Sequence, residues 1–176
     1  MSTGSIRGRV WKFGDGISGD DGVIQYSRLT DLSTYDEPAL RAMCFELIEP
    51  RFAKEVRAGD LVVAGHNFAH HSHPHVCVAL KASGIAAVVA ESCDSNFLRK
   101  SLNVGLPVVP CPGVSALAAH FGELEVDLAR GEVREPASGR MLAVRPYSPR
   151  MLGIVRAGSL VAYTRAQLAA GIATQS

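Results

Sequence analysis

The stretch Asp60-Leu61-Val62-Val63-Ala64-Gly65, followed by His66-Asn67-Phe68-Ala69-His70-His71-Ser72-His73-Pro74-His75, decides the fold. Four successive apolar residues with no polar alternation are the pattern of a strand buried on both faces of a sheet. The same pattern returns at 85–90 (IAAVVA) and at 106–109 (LPVV). Residues 74–83, ended by Gly84, and 95–103, closed by Gly105, read as helices between these strands. Strand, helix, strand, helix, strand at this spacing predicts a parallel α/β core.

Upstream, 6–13 alternates as a strand and 14–22 (GDGISGDDG) is a glycine- and aspartate-rich loop. Residues 36–46 read as a helix with Leu40, Met43 and Cys44, and Leu47 just beyond its end, on one face. Residues 50–56 read as a second short helix, with proline in its first turn. Downstream, 123–128, 131–134 and 141–144 read as short antiparallel strands, turned at ARGE and ASGR. Helices are expected at 149–157 and 160–169. No repeat or linker divides the chain. Residues 1–176 are therefore expected to form a single α/β domain, a parallel βαβ core with an antiparallel β section.

Of 176 residues, 47% are apolar and 20% charged, which excludes a disordered chain. Eighteen basic residues against seventeen acidic ones give no electrostatic reason to expect nucleic acid or a membrane surface as partner. The first 13 residues hold no apolar run of a signal peptide. No apolar run approaches the roughly 20 residues that span a bilayer. Cys44, Cys77, Cys93 and Cys111 are scattered, with no C-x-x-C pair. They read as small buried residues of a chain in a reducing cytoplasm, with no metal site of their own.

Open α/β sheets place ligands where loops leave the carboxyl ends of strands. The loop at 66–75 holds five of the six histidines. Ser72 as cap and Pro74 in the first turn mark a helix start, which favours an anion. His66, His70, His71, His73 and His75 add donors that can be cationic near neutral pH. A solvated polar loop, contact with an anionic substrate and a bound metal ion all fit this composition. In the second loop, Asp20 and Asp21 either organise a site or simply turn the chain. Arg28 beyond them has the fork suited to a carboxylate.

The sequence resembles the small subunit of 3-isopropylmalate dehydratase, equivalent to the swivelling β/β/α fourth domain of aconitase. The likeness runs through GRVWKFGDGISGDDGVI, CFELIEPRFAKEVRAGDLVVAGHNF, ALKASGIAAVVAES, FLRKSLNVGLP, VDLARGEV and SPRMLGIVRAGSLVAY. The resemblance implies a hydro-lyase subunit that acts in a heterodimer on a small hydroxy-dicarboxylate, as in leucine biosynthesis. It also implies a 4Fe–4S cluster held by the partner large subunit and not by this chain.

The chain departs from the family in the site loop. After Asn-Phe the family reads Gly-Cys-Gly-Ser-Ser-Arg-Glu. Here Asn67-Phe68 is followed by Ala69-His70-His71-Ser72-His73-Pro74-His75, in a segment one residue shorter. Ser72 falls on the family's base, His73 replaces the second serine and Pro74 replaces the arginine. A serine hydroxyl is a poor base unless cations stabilise its alkoxide. The catalytic group expected here is therefore Ser72 with His73 or His75, as cation or as proton acceptor. Arg28, Asn67, His71 and Arg99 are the expected substrate contacts. A catalytically silent paralogue and a histidine-loop metal- or anion-binding protein are the competing readings.

Overall fold

The computed structural model describes residues 5–171. One seven-stranded sheet runs β4-β3-β2-β1-β5-β6-β7. The strands are β1 (Ser5–Lys12), β2 (Leu61–Ala64), β3 (Ala87–Ala90), β4 (Val108–Pro110), β5 (Glu123–Asp127), β6 (Glu132–Arg134) and β7 (Met141–Ala143). β1 joins the two sections. Its second half pairs in parallel with β2, from Val10↔Leu61 to Lys12↔Val63. Its first half pairs antiparallel with β5, from Ser5↔Asp127 to Arg9↔Glu123. β2, β3 and β4 continue in parallel, while β5, β6 and β7 continue antiparallel. The predicted parallel core with an antiparallel section is the observed architecture.

Every residue of β2 and β3 is buried, and the side chains alternate between two cores. Val62, Ala64, Val88 and Ala90 face one cluster with Phe52, Phe68, Val76, Leu80 and Phe97. Leu61, Val63, Ala87 and Val89 face the other, with Leu117, Leu124, Val126 and Val133. The period of two follows from the pleat. The first core is covered by α1 (Glu37–Met43), α2 (Phe52–Glu55), α3 (Pro74–Ala82) and α4 (Ser95–Asn103). A short α5 (Val114–Leu117), not expected from the sequence, covers part of the second. The chain closes with α6 (Pro149–Ala157) and α7 (Leu160–Ala169), within the expected bounds. Among the described residues no helix is long and apolar enough to cross a membrane.

The expected helix at 36–46 needs a correction. α1 stops at Met43, because Cys44 is extended and Phe45 takes a left-handed φ of 54°. The Phe45 N–H donates to Val23 O at 2.7 Å, and its ring stacks on Phe13 at 4.0 Å. Burying Phe45 this way turns Leu47 out, where it is 66% exposed, rather than onto the helix face with Leu40.

One buried carboxylate ties β1 to β2. Asp60, 3% exposed, accepts from Arg9 Nη2 (2.7 Å), Arg9 Nε (3.3 Å), Trp11 Nε1 (2.8 Å) and the Arg57 N–H (3.0 Å). Burial alone would raise this carboxyl. The Arg9 guanidinium, the Arg57 amide and the Trp11 N–H outweigh it and hold Asp60 below the usual carboxylate range.

Candidate active site

Three loops leave the carboxyl ends of β1, β2 and β3 side by side. The loop after β1 zips onto the histidine loop: Gly16 N–H donates to His66 O (2.8 Å), Ala69 N–H to Ile17 O (2.8 Å) and Gly19 N–H to His70 O (2.8 Å). On the other side Phe68 N–H donates to Ser92 O (3.0 Å), and Asn67 N–H to Ser92 Oγ (2.9 Å). These bonds carry the parallel pairing beyond the strands and leave the histidine loop in the middle. In the loop after β3, burial would raise the Glu91 carboxyl. The N–H groups of Gly113 and Ser115 outweigh burial and hold it below the usual range.

The loop's backbone is strained. Asn67, Ala69 and His71 take φ of 56°, 57° and 49°. Asparagine and histidine are found here more often than most residues, but a side chain with a Cβ still carries a cost of up to about 1–2 kcal/mol. His71 is exposed, so His71→Gly removes strain without opening a hole. Set against glycine's extra unfolded-state entropy, the variant is expected to gain about 0.5–1 kcal/mol in urea unfolding. An unchanged or lower stability would contradict the strain.

The five histidines divide by partner. His70 Nε2 lies 3.1 Å from Gly16 O, and His70 Nδ1 lies 3.3 Å from His71 Nδ1. Nε2–H therefore donates to the carbonyl, and His71 donates to His70. His66 is exposed and held through its backbone by Asp15 Oδ1 at 2.7 Å. His73 is half exposed and lies 2.7 Å from Asp20 Oδ2 through Nδ1. Its ring stacks on Tyr26 at 3.9 Å with 10° between planes. His75 is 5% exposed, beneath Tyr26 (5.4 Å) and Tyr35 (4.8 Å), with neither ring nitrogen hydrogen-bonded. His120, the sixth, accepts the Lys12 N–H (3.1 Å) and packs on Trp11.

The expectation that Ser72 caps the following helix is corrected. The cap of α3 is His73, with no side-chain cap bond, and Pro74 follows in the first turn. Ser72 lies one residue too early. Its buried hydroxyl instead donates to Ala69 O at 2.7 Å and helps hold the left-handed turn. Gly19 backs against this hydroxyl so closely that a Cβ there would come within 2.2 Å of Ser72 Oγ.

Ser72, His71 and Asn67 share this loop, and His73 joins it to Asp20 and Tyr26. The two arginines stand apart from the loop in their bonding. Arg28 is exposed and paired with Glu46 at 2.6 Å. Arg99 is exposed on α4, where its guanidinium donates to Asn96 Oδ1. The helix neighbour of Arg99, Lys100, is the one turned inward: its ammonium donates to Ser72 O. Lys100 lies three residues after the fully buried Phe97, and that spacing on α4 was the available signal for it.

Among the described residues no three His, Cys, Asp or Glu side chains converge. Burial pushes the Cys44, Cys77 and Cys93 thiols up to about 12 and that of Cys111 up to about 11. Burial thus disfavours their thiolate forms.

No family model matches the chain. A direct relative does: it is 37% identical over 166 residues to the 3-isopropylmalate dehydratase small subunit of Aquifex aeolicus, covering 93% of this chain and 96% of that one. The chain belongs to the 3-isopropylmalate dehydratase small-subunit family. A solved structure of 3-isopropylmalate dehydratase from Methanocaldococcus jannaschii superposes with a TM-score of 0.81 at 30% identity, covering 95% of this chain and 97% of that one. The 2,3-dimethylmalate dehydratase small subunit of Eubacterium barkeri is 35% identical over 161 residues, 91% of this chain and 96% of that one. The chain is thus a small subunit of the hydro-lyase type, made to act with a large subunit. Against the family pattern of Gly-Cys-Gly-Ser-Ser-Arg, the two glycines fall on Ala69 and His71. Both are left-handed here, a conformation that glycine adopts without cost.

Proposed function

We propose that this small subunit binds a hydroxy-dicarboxylate of the isopropylmalate or alkylmalate class and moves its proton, while a large subunit holds a 4Fe–4S cluster. When bound, the cluster supplies Lewis-acid polarisation of the substrate hydroxyl. The four cysteines of this chain are scattered, three buried and Cys93 partly so, with no C-x-x-C pair, which fits a cluster held by the partner. They also fit a reducing cytoplasm. Residues 1–176 serve in this reading as one swivel-like domain.

The observation that carries the proposal is the placement of His73. Its ring is half exposed at the carboxyl ends of three parallel strands, beside Ser72 at the family's base position. His73 accepts the proton from the substrate carbon next to a carboxylate. Ser72 keeps the family's base position with its hydroxyl committed to Ala69 O, and the Lys100 ammonium on the Ser72 carbonyl keeps that segment positive. His75, enclosed beneath Tyr26 and Tyr35, acts through the rings it supports. Asn67 and His71 line the loop toward the substrate carboxylates. Arg28 and Arg99 reach them only on exchanging their present partners, Glu46 and Asn96.

The loss of the family arginine at Pro74 favours one second reading, a silent paralogue that binds the large subunit without turnover. Co-purification with a large subunit of the same dehydratase family tests the assembly. The expected result is a stable complex with the visible absorbance of an iron–sulfur cluster. An uncomplexed chain that binds stoichiometric zinc, lost on combined substitution of His70, His71 and His73 by alanine, would overturn the proposal.

A further inference from the structure

The carboxylate of Asp20 has no part in the reading above, yet both its oxygens hold one residue. Oδ1 accepts the His73 backbone N–H at 2.9 Å, and Oδ2 lies 2.7 Å from His73 Nδ1. The Asp20 side chain is 15% exposed and that of His73 is 50% exposed. The carboxylate is thus the inner, screened partner and the imidazole the outer one. A carboxylate can only accept, so Nδ1 carries the proton, and in the neutral ring Nε2 keeps the lone pair. Tyr26 fixes the ring plane from below, stacked at 3.9 Å. Backbone, ring plane and tautomer of His73 are therefore all set from the loop after β1. Its neighbours His70 and His71 are bonded to each other, and His70 to Gly16 O, with no carboxylate bonded to either among the described residues.

We infer that Asp20 is a positioning residue for the hydro-lyase reaction: it locks His73 in the Nδ1–H tautomer, so that Nε2 faces the substrate as the proton acceptor. This rests on the function proposed above. In the forward step the C–H bond beside a substrate carboxylate breaks and its proton goes to Nε2. The electron pair of that bond forms the C=C bond as the adjacent C–O bond breaks, and the hydroxyl leaves as hydroxide. Proton and hydroxide together make the water of the dehydration. Asp20 then faces an imidazolium and balances its charge, as the carboxylate does behind the base in a hydrolase triad. A neutral Asp20–His73⁺ pair is a weak grip for a second carboxylate. The geometry therefore favours His73 as base over His73 as a replacement for the arginine's charge.

Asp20→Asn is the test. The amide keeps an oxygen for the His73 N–H but offers a donor to Nδ1, which moves the ring proton to Nε2. In nitrogen-15 spectra of the isolated full chain above neutral pH, the wild type is expected to show Nδ1–H with a bare Nε2, and D20N the reverse. In the complex with the large subunit, kcat of D20N is expected to fall roughly 10²–10⁴-fold with KM changed less than about 3-fold. Asp20→Glu, which keeps the acceptor, should recover much of that loss. A wild-type His73 protonated on Nε2, or D20N with wild-type kcat, would overturn the inference. If the tautomers behave as expected but the wild-type complex turns over no alkylmalate, the proposed function fails while the Asp20–His73 coupling stands.

Discussion

Replacing His73 with alanine in the two-subunit complex is expected to lower kcat roughly 10²–10⁴-fold, the usual share of a positioned proton acceptor. The side chain is half exposed and its bonds run to Asp20 and Tyr26, so little of the core depends on it. Unfolding of the isolated chain should shift by less than about 1 kcal/mol, since surface substitutions rarely cost more. His75→Ala provides the contrast. That ring is 5% exposed with two unbonded nitrogens, so its removal opens a cavity while relieving two unsatisfied polar atoms. A larger kcat loss for H75A than for H73A would place the proton acceptor on the wrong histidine.

The largest stability effect is expected at Asp60→Ala. Its carboxylate takes four hydrogen bonds from Arg9, Trp11 and Arg57, almost wholly out of water. Removing it leaves the Trp11 N–H and the Arg57 N–H without their acceptor and Arg9 without its counter-charge. Breaking a buried pair from one side costs about 3–5 kcal/mol. The pH dependence has a definite sign. The folded carboxyl lies below its unfolded value, so its contribution is full above about pH 3.9 and fades as pH falls through the folded value. Urea unfolding should show the gap between wild type and D60A at neutral pH and a narrowing gap in strong acid. A D60A loss under about 1 kcal/mol would show that the network is a bystander.

The parallel core was legible because β2 and β3 are buried on both faces and read as unbroken apolar runs. The bounds of α6 and α7 were equally legible: Ser148 and Ser159 cap them through Met151 N–H and Ala162 N–H, and Gly158 ends α6 in a left-handed turn. α1 was overextended because its end is set by a distant bond from Phe45 to Val23, which no local pattern records. The site was half legible. Residue composition marked the histidine loop and family likeness marked Ser72. Which histidine has a carboxylate behind it depends on two loops about 50 residues apart lying side by side, from Gly16 with His66 to Asp20 with His71 and His73. Asp20 could therefore be noted as a turn or a site residue, but its partner could not be named. Family position marks Arg99, whereas burial of Phe97 turns the next residue, Lys100, toward Ser72.

The most direct test of the account is turnover. The chain, purified together with its large subunit under anaerobic conditions, should convert at least one alkylmalate to its unsaturated diacid, read by ultraviolet absorbance. Neither subunit alone should do so, and His73→Ala in the same complex should abolish most of the rate. An intact, cluster-loaded complex that dehydrates no alkylmalate, or one whose rate is indifferent to His73, would contradict it.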